Sequence, residues 1–243
     1  MNKILTSLFV TILLIYSRVG FTQYLSSINL NVNKDINTYI AETNELRPQV
    51  LQLAFKAYNC ALLKGIKDDK QILTIIDYSL PSSIKRLWIF DLKNKVVLFN
   101  TLVAHGIMTG NNKGEAIHFS DQPHSLESSI GLFMTEGSYE GKDGYSLKLK
   151  GLEKNFNDEA EQRHIIIHGA WYVSENIVKR YGKIGRSWGC PALDLQIVKP
   201  IIDSIKDGTL LFAYFPNPKW LAQSTFLHCP DLKNVHDNNE VQQ

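Results

Sequence analysis

Apolar positions along the chain change their period several times, and each change predicts a different element. Ile4 to Tyr16 is a mostly apolar run behind a short basic start, Met1-Asn2-Lys3. It is too short for a bilayer span, which takes roughly 20 residues. It reads as the core of a secretory signal peptide over residues 1–22, with a retained anchor as the alternative. Residues 24–45 are polar and weakly patterned, as a linker or a loose helix would be. Val50, Leu51, Leu53, Ala54, Ala57, Ala61 and Leu62 then recur at helical spacing behind Pro48, and Gly65 suits the end of that helix. From about residue 71 the runs shorten to strand length: Leu73–Asp77, Arg86–Asp91, Lys95–Ala104, Ile130–Thr135, Ser146–Lys150, His164–His168 and Thr209–Phe215. Asp91-Leu92-Lys93-Asn94 between the second and third run makes a hairpin. Leu193, Ile197, Ile201 and Ile205 repeat every four residues, a helix that Pro200 is expected to kink. Residues 217–243 read as a C-terminal tail.

This order gives a mainly β, mixed α+β domain over residues 71–216, with a small helical region before it (23–70). It does not give alternating βαβ units. Residues 105–128, rich in Gly, Asn, Ser and His, form a loop long enough to suggest function.

Composition narrows the classes. Of 243 residues, 44% are hydrophobic and 21% charged, which excludes disorder, collagen and coiled coil. The net charge of +2 is too small to make nucleic acid the expected partner. Loss of residues 1–22 would remove Lys3 and Arg18 and no acid, leaving 24 basic and 24 acidic residues. Export places the chain in a periplasm or cell envelope, with membrane contact only if the N-terminal segment stays. Cys60, Cys190 and Cys229 are the only cysteines, too few for a disulfide scaffold or a four-thiolate zinc site. In an oxidising space Cys60 and Cys229 pair, leaving Cys190 free; three unlinked thiols are the alternative.

Candidate chemistry concentrates between His164 and Pro191. His168 closes a strand, and Cys190 lies in the Gly-rich run Gly185-Arg186-Ser187-Trp188-Gly189-Cys190. A thiol attacks as thiolate, so it needs a base or a positive field nearby. The amides of Gly189 and Cys190 would suit an oxyanion hole. A buried structural cysteine and a core histidine are the plainer reading. Gly185-x-Ser187-x-Gly189 also matches a hydrolase elbow, but no apolar strand precedes it and the order of downstream partners is wrong. His164 and His168 share one strand face and would make two metal ligands, with His105, His118 or His124 as a third.

These residues resemble a known pattern. His168-Gly169 followed by Ser187-Trp188-Gly189-Cys190 is similar to the catalytic motif of murein L,D-transpeptidases, the YkuD-like family: a histidine, an interval, then Ser/Thr-x-Gly-Cys. Val103–Gly106, Phe119-Ser120, Ser128–Gly131, Gly144–Leu147 and Gly151–Glu153 extend the likeness, to a divergent branch, over residues 70–215. Trp188 stands where His is commoner, Asp121 follows Ser120 where Asn is expected, and the His168–Cys190 interval is slightly long.

The resemblance implies a curved β-sandwich or barrel with peripheral helices. It implies a peptidoglycan-modifying cysteine acyltransferase that needs no metal or cofactor and acts on stem tetrapeptides through a Cys190 thioester. Such an enzyme forms 3–3 crosslinks or attaches protein to murein. An L,D-carboxypeptidase or murein hydrolase would use the same pair; a zinc hydrolase and a non-catalytic murein-binding module are further alternatives. In the implied roles, His168 is base and then acid, and the Gly169 carbonyl orients its ring. Trp188, Gly189 and Cys190 frame the oxyanion hole. Arg186, Ser187, His105 and Tyr145 contact or line the substrate groove.

Overall fold

The computed structural model describes Tyr39 and residues 46–229. The expected signal segment, most of the linker and the end of the tail lie outside the described residues. Among the described residues eight strands form one sheet: β1 (Ile72–Asp77), β2 (Leu87–Asp91), β3 (Val96–Thr101), β4 (Gly131–Gly141), β5 (Gly144–Gly151), β6 (Ile166–Gly169), β7 (Ala192–Leu193) and β8 (Leu210–Tyr214). Their order across the sheet is β3-β2-β1-β8-β4-β5-β6-β7. Pairing is antiparallel except for β1 with β8 and β6 with β7.

The two ends of this sheet meet. After β3 the chain continues extended, and the Ala104 amide donates to the Ala192 carbonyl at 2.9 Å. Ser187 N–H donates to His105 O (3.0 Å) and Ile107 N–H to Ser187 O (2.7 Å). The mainly β expectation holds, and closure gives the sheet its barrel-like form.

Both faces of the central strands are covered, which is why they read as unbroken apolar runs rather than alternating ones. Leu73, Ile75, Leu210, Phe212 and Tyr214 face one core, and Ile72, Ile76, Leu211 and Ala213 the other. Helix α1 (Pro48–Leu63) covers the first face with Val50, Leu51, Ala54, Phe55, Tyr58 and Ala61, and Tyr39 packs edge-on against Phe90 in the same core. Pro48 is at the first helical position, where its missing N–H costs no bond. Helix α2 (Glu175–Tyr181) begins at Ser174, whose hydroxyl accepts from Ile177 N–H, and ends at Gly182 in the left-handed region (φ 72°).

Helix α3 (Val198–Ile205) covers the second face with Val198, Ile201, Ile202 and Ile205. Pro200, where a kink is expected, falls in the first turn of the helix, a position at which a proline displaces no helical bond. Leu193, expected in this helix, belongs to β7 instead. The strand expected from His164 starts at Ile166; His164 has φ 54° and ends the preceding turn, with its amide bonded to Glu161 O.

Residues 217–229, expected to belong to the C-terminal tail, carry α4 (Pro218–Gln223). Trp220 of α4 is fully buried, packs with its ring tilted against Phe212 (centroids 5.6 Å apart) and donates its indole N–H to Glu153. Cys229 is disulfide-bonded to Cys60 at the end of α1, with Cα atoms 5.7 Å apart across 169 positions of sequence. Cys190 is the free cysteine.

Candidate active site

Strand β6 positions the histidine. Its Ile166 and Ile167 are buried, and Leu147 of β5 pairs with Ile167 on one side. On the other side His168 pairs in parallel with Ala192, two residues beyond Cys190. This pairing brings together two segments that the sequence leaves more than twenty positions apart. His168 Nδ1 faces the Gly169 carbonyl at 3.0 Å. A carbonyl can only accept, so Nδ1 carries the proton and the neutral ring keeps its lone pair on Nε2. A side chain at Gly169 would strike Leu195 and Val198, so glycine lets the strand end lie close against α3.

The nucleophile loop is shaped by its own hydroxyl. Ser187 is buried; its Oγ donates to Cys190 O (2.6 Å) and accepts from Gly189 N–H (3.1 Å). Two expectations change here. The Ser187 hydroxyl is used inside the loop rather than on a substrate or as a hydrolase nucleophile. The Gly189 amide is likewise committed to Ser187, whereas among the described residues the Trp188 and Cys190 amides on either side of it make no hydrogen bond. Gly189 has φ 128°, and a Cβ there would sit 2.8 Å from the Glu127 carbonyl. Trp188 is 73% exposed on the rim, with Lys142 Nζ 5.9 Å from its ring centroid.

Cys190 is half-buried, and its Sγ donates to the His164 carbonyl at 3.5 Å. No hydrogen bond joins it to the His168 ring. Burial pushes the thiol up from its ordinary value; the Ile166 amide on the sulfur and the charges of Arg163 and Lys142 oppose that shift, while Asp143 adds to it. The net direction favours the protonated thiol over the thiolate. A cleft of about 480 Å³ adjoins the same backbone, lined by Tyr139, Lys148, Glu161, His164 and Ile166 among others.

His105 does not line an open groove. It is fully buried, with Nδ1 accepting from Arg86 Nη2 at 2.6 Å. Its Nε2 has no partner and lies where a Cβ on Gly110 would be, 1.9 Å away. Burial first, then the Arg86 and Arg186 charges, hold its pKa down at about 3. Tyr145 is also elsewhere. Its hydroxyl donates to Asp203 (2.7 Å) and meets Ser138 and Lys206, an ion cluster between β4, β5 and α3. Arg186 uses Nη1 to hold the Ile107 and Gly110 carbonyls, fixing the 107–110 loop beside the site. Among the described residues no three His, Cys, Asp or Glu gather around a common point, so His164 and His168 lack a third ligand.

Sequence reading missed three groups. Ser128 Oγ donates to Gly189 O (2.8 Å) and accepts from Gly106 N–H (2.9 Å), joining the long loop to the nucleophile loop. Arg86 is a fully buried cation that holds the Val103 and Leu80 carbonyls. Arg163 has a buried side chain that holds the Glu127 carbonyl and the Ser129 hydroxyl beside the nucleophile loop. A hydroxyl or a lone cation in a polar stretch carries no periodic signal, so only the fold could reveal them.

A family model described as the L,D-transpeptidase catalytic domain matches residues 42–214. No curated protein matches the chain. Among solved structures, an L,D-transpeptidase from Mycobacterium smegmatis shares 12% identity over 60% of this chain and 59% of its own, with a TM-score of 0.38. L,D-transpeptidase 1 of Mycobacterium tuberculosis shares 12% over 58% and 60%, TM-score 0.31. An L,D-transpeptidase from Stackebrandtia nassauensis shares 15% over 70% and 68%, TM-score 0.34. The chain spans about three-fifths of the first two. Likeness at this level carries nothing about substrate.

Proposed function

The chain belongs to the L,D-transpeptidase catalytic-domain family, and from that premise we propose that it is a cysteine acyltransferase of peptidoglycan stem peptides. The observation that carries the reading is the His168 Nδ1–Gly169 carbonyl bond at a strand end paired beside the Cys190 loop. That bond leaves Nε2 as the base, with a backbone carbonyl in the place a triad carboxylate would take.

In this reading substrate binding turns the Cys190 sulfur from the His164 carbonyl toward His168. Because burial keeps the resting thiol protonated, removal of its proton by Nε2 accompanies attack. The sulfur bonds to the carbonyl carbon of the third stem residue, a diamino acid. The developing oxyanion is held by the Cys190 amide. His168 returns the proton to the departing amine of the terminal D-residue, and a thioester remains. An acceptor amine then attacks the thioester, gives its proton to His168 and releases the thiol. The product is a 3–3 crosslink or a protein attached to murein. Water as acceptor would make the enzyme an L,D-carboxypeptidase.

The test is incubation of the chain with disaccharide tetrapeptide, followed by mass spectrometry. A crosslinked dimer is expected, and it should vanish in Cys190→Ala. Tripeptide without dimer would assign the carboxypeptidase. Unchanged product from Cys190→Ala would overturn the mechanism.

A further inference from the structure

Arg163 closes the turn that leads into β6, and its side chain is only 4% exposed. Its nearest carboxylate oxygen, Asp121 Oδ1, stands at 3.6 Å, and Oδ1 itself accepts no hydrogen bond. The guanidinium spends its donors on the 120–129 segment. Nη1 bonds Ser120 O (2.7 Å) and Ser129 Oγ (2.6 Å); Nη2 bonds Glu127 O (2.6 Å) and Ser125 Oγ (3.1 Å). One planar fork thus gathers four points from across ten residues, a geometry lysine cannot reproduce. The segment needs such a brace. His124 and Leu126 have φ of 63° and 56°, and the segment is closed on itself by only a few backbone bonds, such as Ser120 N–H to Ser128 O.

What Arg163 gathers is the wall of the nucleophile. Ser128 bonds the Gly189 carbonyl, and the Glu127 carbonyl, itself held by Nη2, fills the space that a Gly189 side chain would need. The next residue, His164, supplies the carbonyl that accepts from the Cys190 sulfur.

We propose that Arg163 is a positioning residue for Cys190: its buried guanidinium braces residues 120–129 against Gly189 and sets a positive charge behind the sulfur. The inference rests on Cys190 being the nucleophile. Burial alone opposes a thiolate, and the Arg163 charge acts in the other direction, together with that of Lys142. Asp121, with Oδ1 3.6 Å from Nη1, is the carboxylate that faces this charge. Burial raises its own pKa to about 6, while the Glu159 amide and Arg163 oppose the rise and Asp158 adds to it.

The experiment uses the full chain with its disulfide intact, so that Cys190 is the one thiol to alkylate. Alkylation of Cys190 by iodoacetamide is followed against pH, beside turnover of disaccharide tetrapeptide, in Arg163→Gln, Arg163→Lys and Ser128→Ala. Arg163→Gln should move the alkylation midpoint up by about one pH unit, the effect of losing a nearby charge, and cut turnover at least about tenfold. Arg163→Lys should hold the midpoint near wild type and still lose turnover, because the charge remains and the fork does not. Ser128→Ala should lower turnover at an unchanged midpoint. A folded Arg163→Gln with wild-type midpoint and turnover overturns the proposal, as do equal midpoint shifts in Gln and Lys. If Arg163→Gln does not fold, wild-type turnover in Arg163→Lys overturns it. Absence of turnover in the wild type would sink the acyltransferase reading, yet the alkylation midpoints would still test Arg163.

Discussion

His105 shows how a residue chosen for chemistry can serve structure instead. Sequence places it in a polar, Gly-rich loop, where a histidine suggests substrate contact. In the fold it is an uncharged acceptor for the buried Arg86 guanidinium. Its pKa is lowered from 6.5 to about 3 by burial and by two arginines. A base whose folded pKa is depressed gives stability that is present above its unfolded value and lost as pH falls toward the folded one. Between pH 7 and pH 5 the wild type should therefore lose on the order of 2 kcal/mol through this group. His105→Asn keeps an acceptor for Arg86 and cannot be protonated. Urea unfolding at the two pH values should show the variant less stable at pH 7 and less sensitive to acid. An acid sensitivity equal to that of wild type would mean that His105 is not the titrating group.

At the scale of elements, the site is a junction of short pieces rather than one motif. Strand β6 is four residues long and β7 two, yet their pairing aligns His168 with the Cys190 loop. Strand β6 was legible from Ile165-Ile166-Ile167, because three adjacent β-branched residues favour a buried strand. Strand β7 was not: Ala192 and Leu193 carry no pattern of their own, and Leu193 fits the helical spacing of Ile197, Ile201 and Ile205 equally well. The loop between them depends on Gly189, where φ is 128° and the Glu127 carbonyl occupies the side-chain space. Gly189→Ala should cost on the order of 1–3 kcal/mol of stability and lower turnover at least about tenfold by displacing the Cys190 amide. Thermal melting and tetrapeptide turnover would check both, and an alanine variant with native melting and rate would refute this account of the loop.

Across the whole molecule, the helix at 48–63 and the segment ending at Cys229 share one core with the sheet. Tyr39, Phe55, Phe90, Phe212 and Trp220 pack together there, and the Cys60–Cys229 disulfide ties the two ends over 169 positions. A link closing so long a loop limits the unfolded chain most. Its loss in Cys60→Ser/Cys229→Ser should cost about 2–5 kcal/mol, visible as a lower denaturation midpoint. Because the disulfide is remote from the β6–β7 junction, turnover at a temperature where the variant stays folded should match wild type. A variant equally stable to denaturant would show that packing alone holds the two ends.

The amino-acid sequence by itself determined the strand content, the helix at Val50–Leu62, and the histidine and cysteine that a thiol acyltransferase needs. Those features are local: apolar period, Pro48 at a helix start, and residue types in a recognisable order. Tertiary structure decided which polar groups are buried and what they hold. Ser187 turns inward, His105 supports Arg86, Tyr145 joins the cluster around Asp203, and Arg163 gathers a loop more than thirty positions away. Nothing along the chain announces these roles, because a hydrogen bond between distant segments exists only once sheet closure has brought both ends to one place.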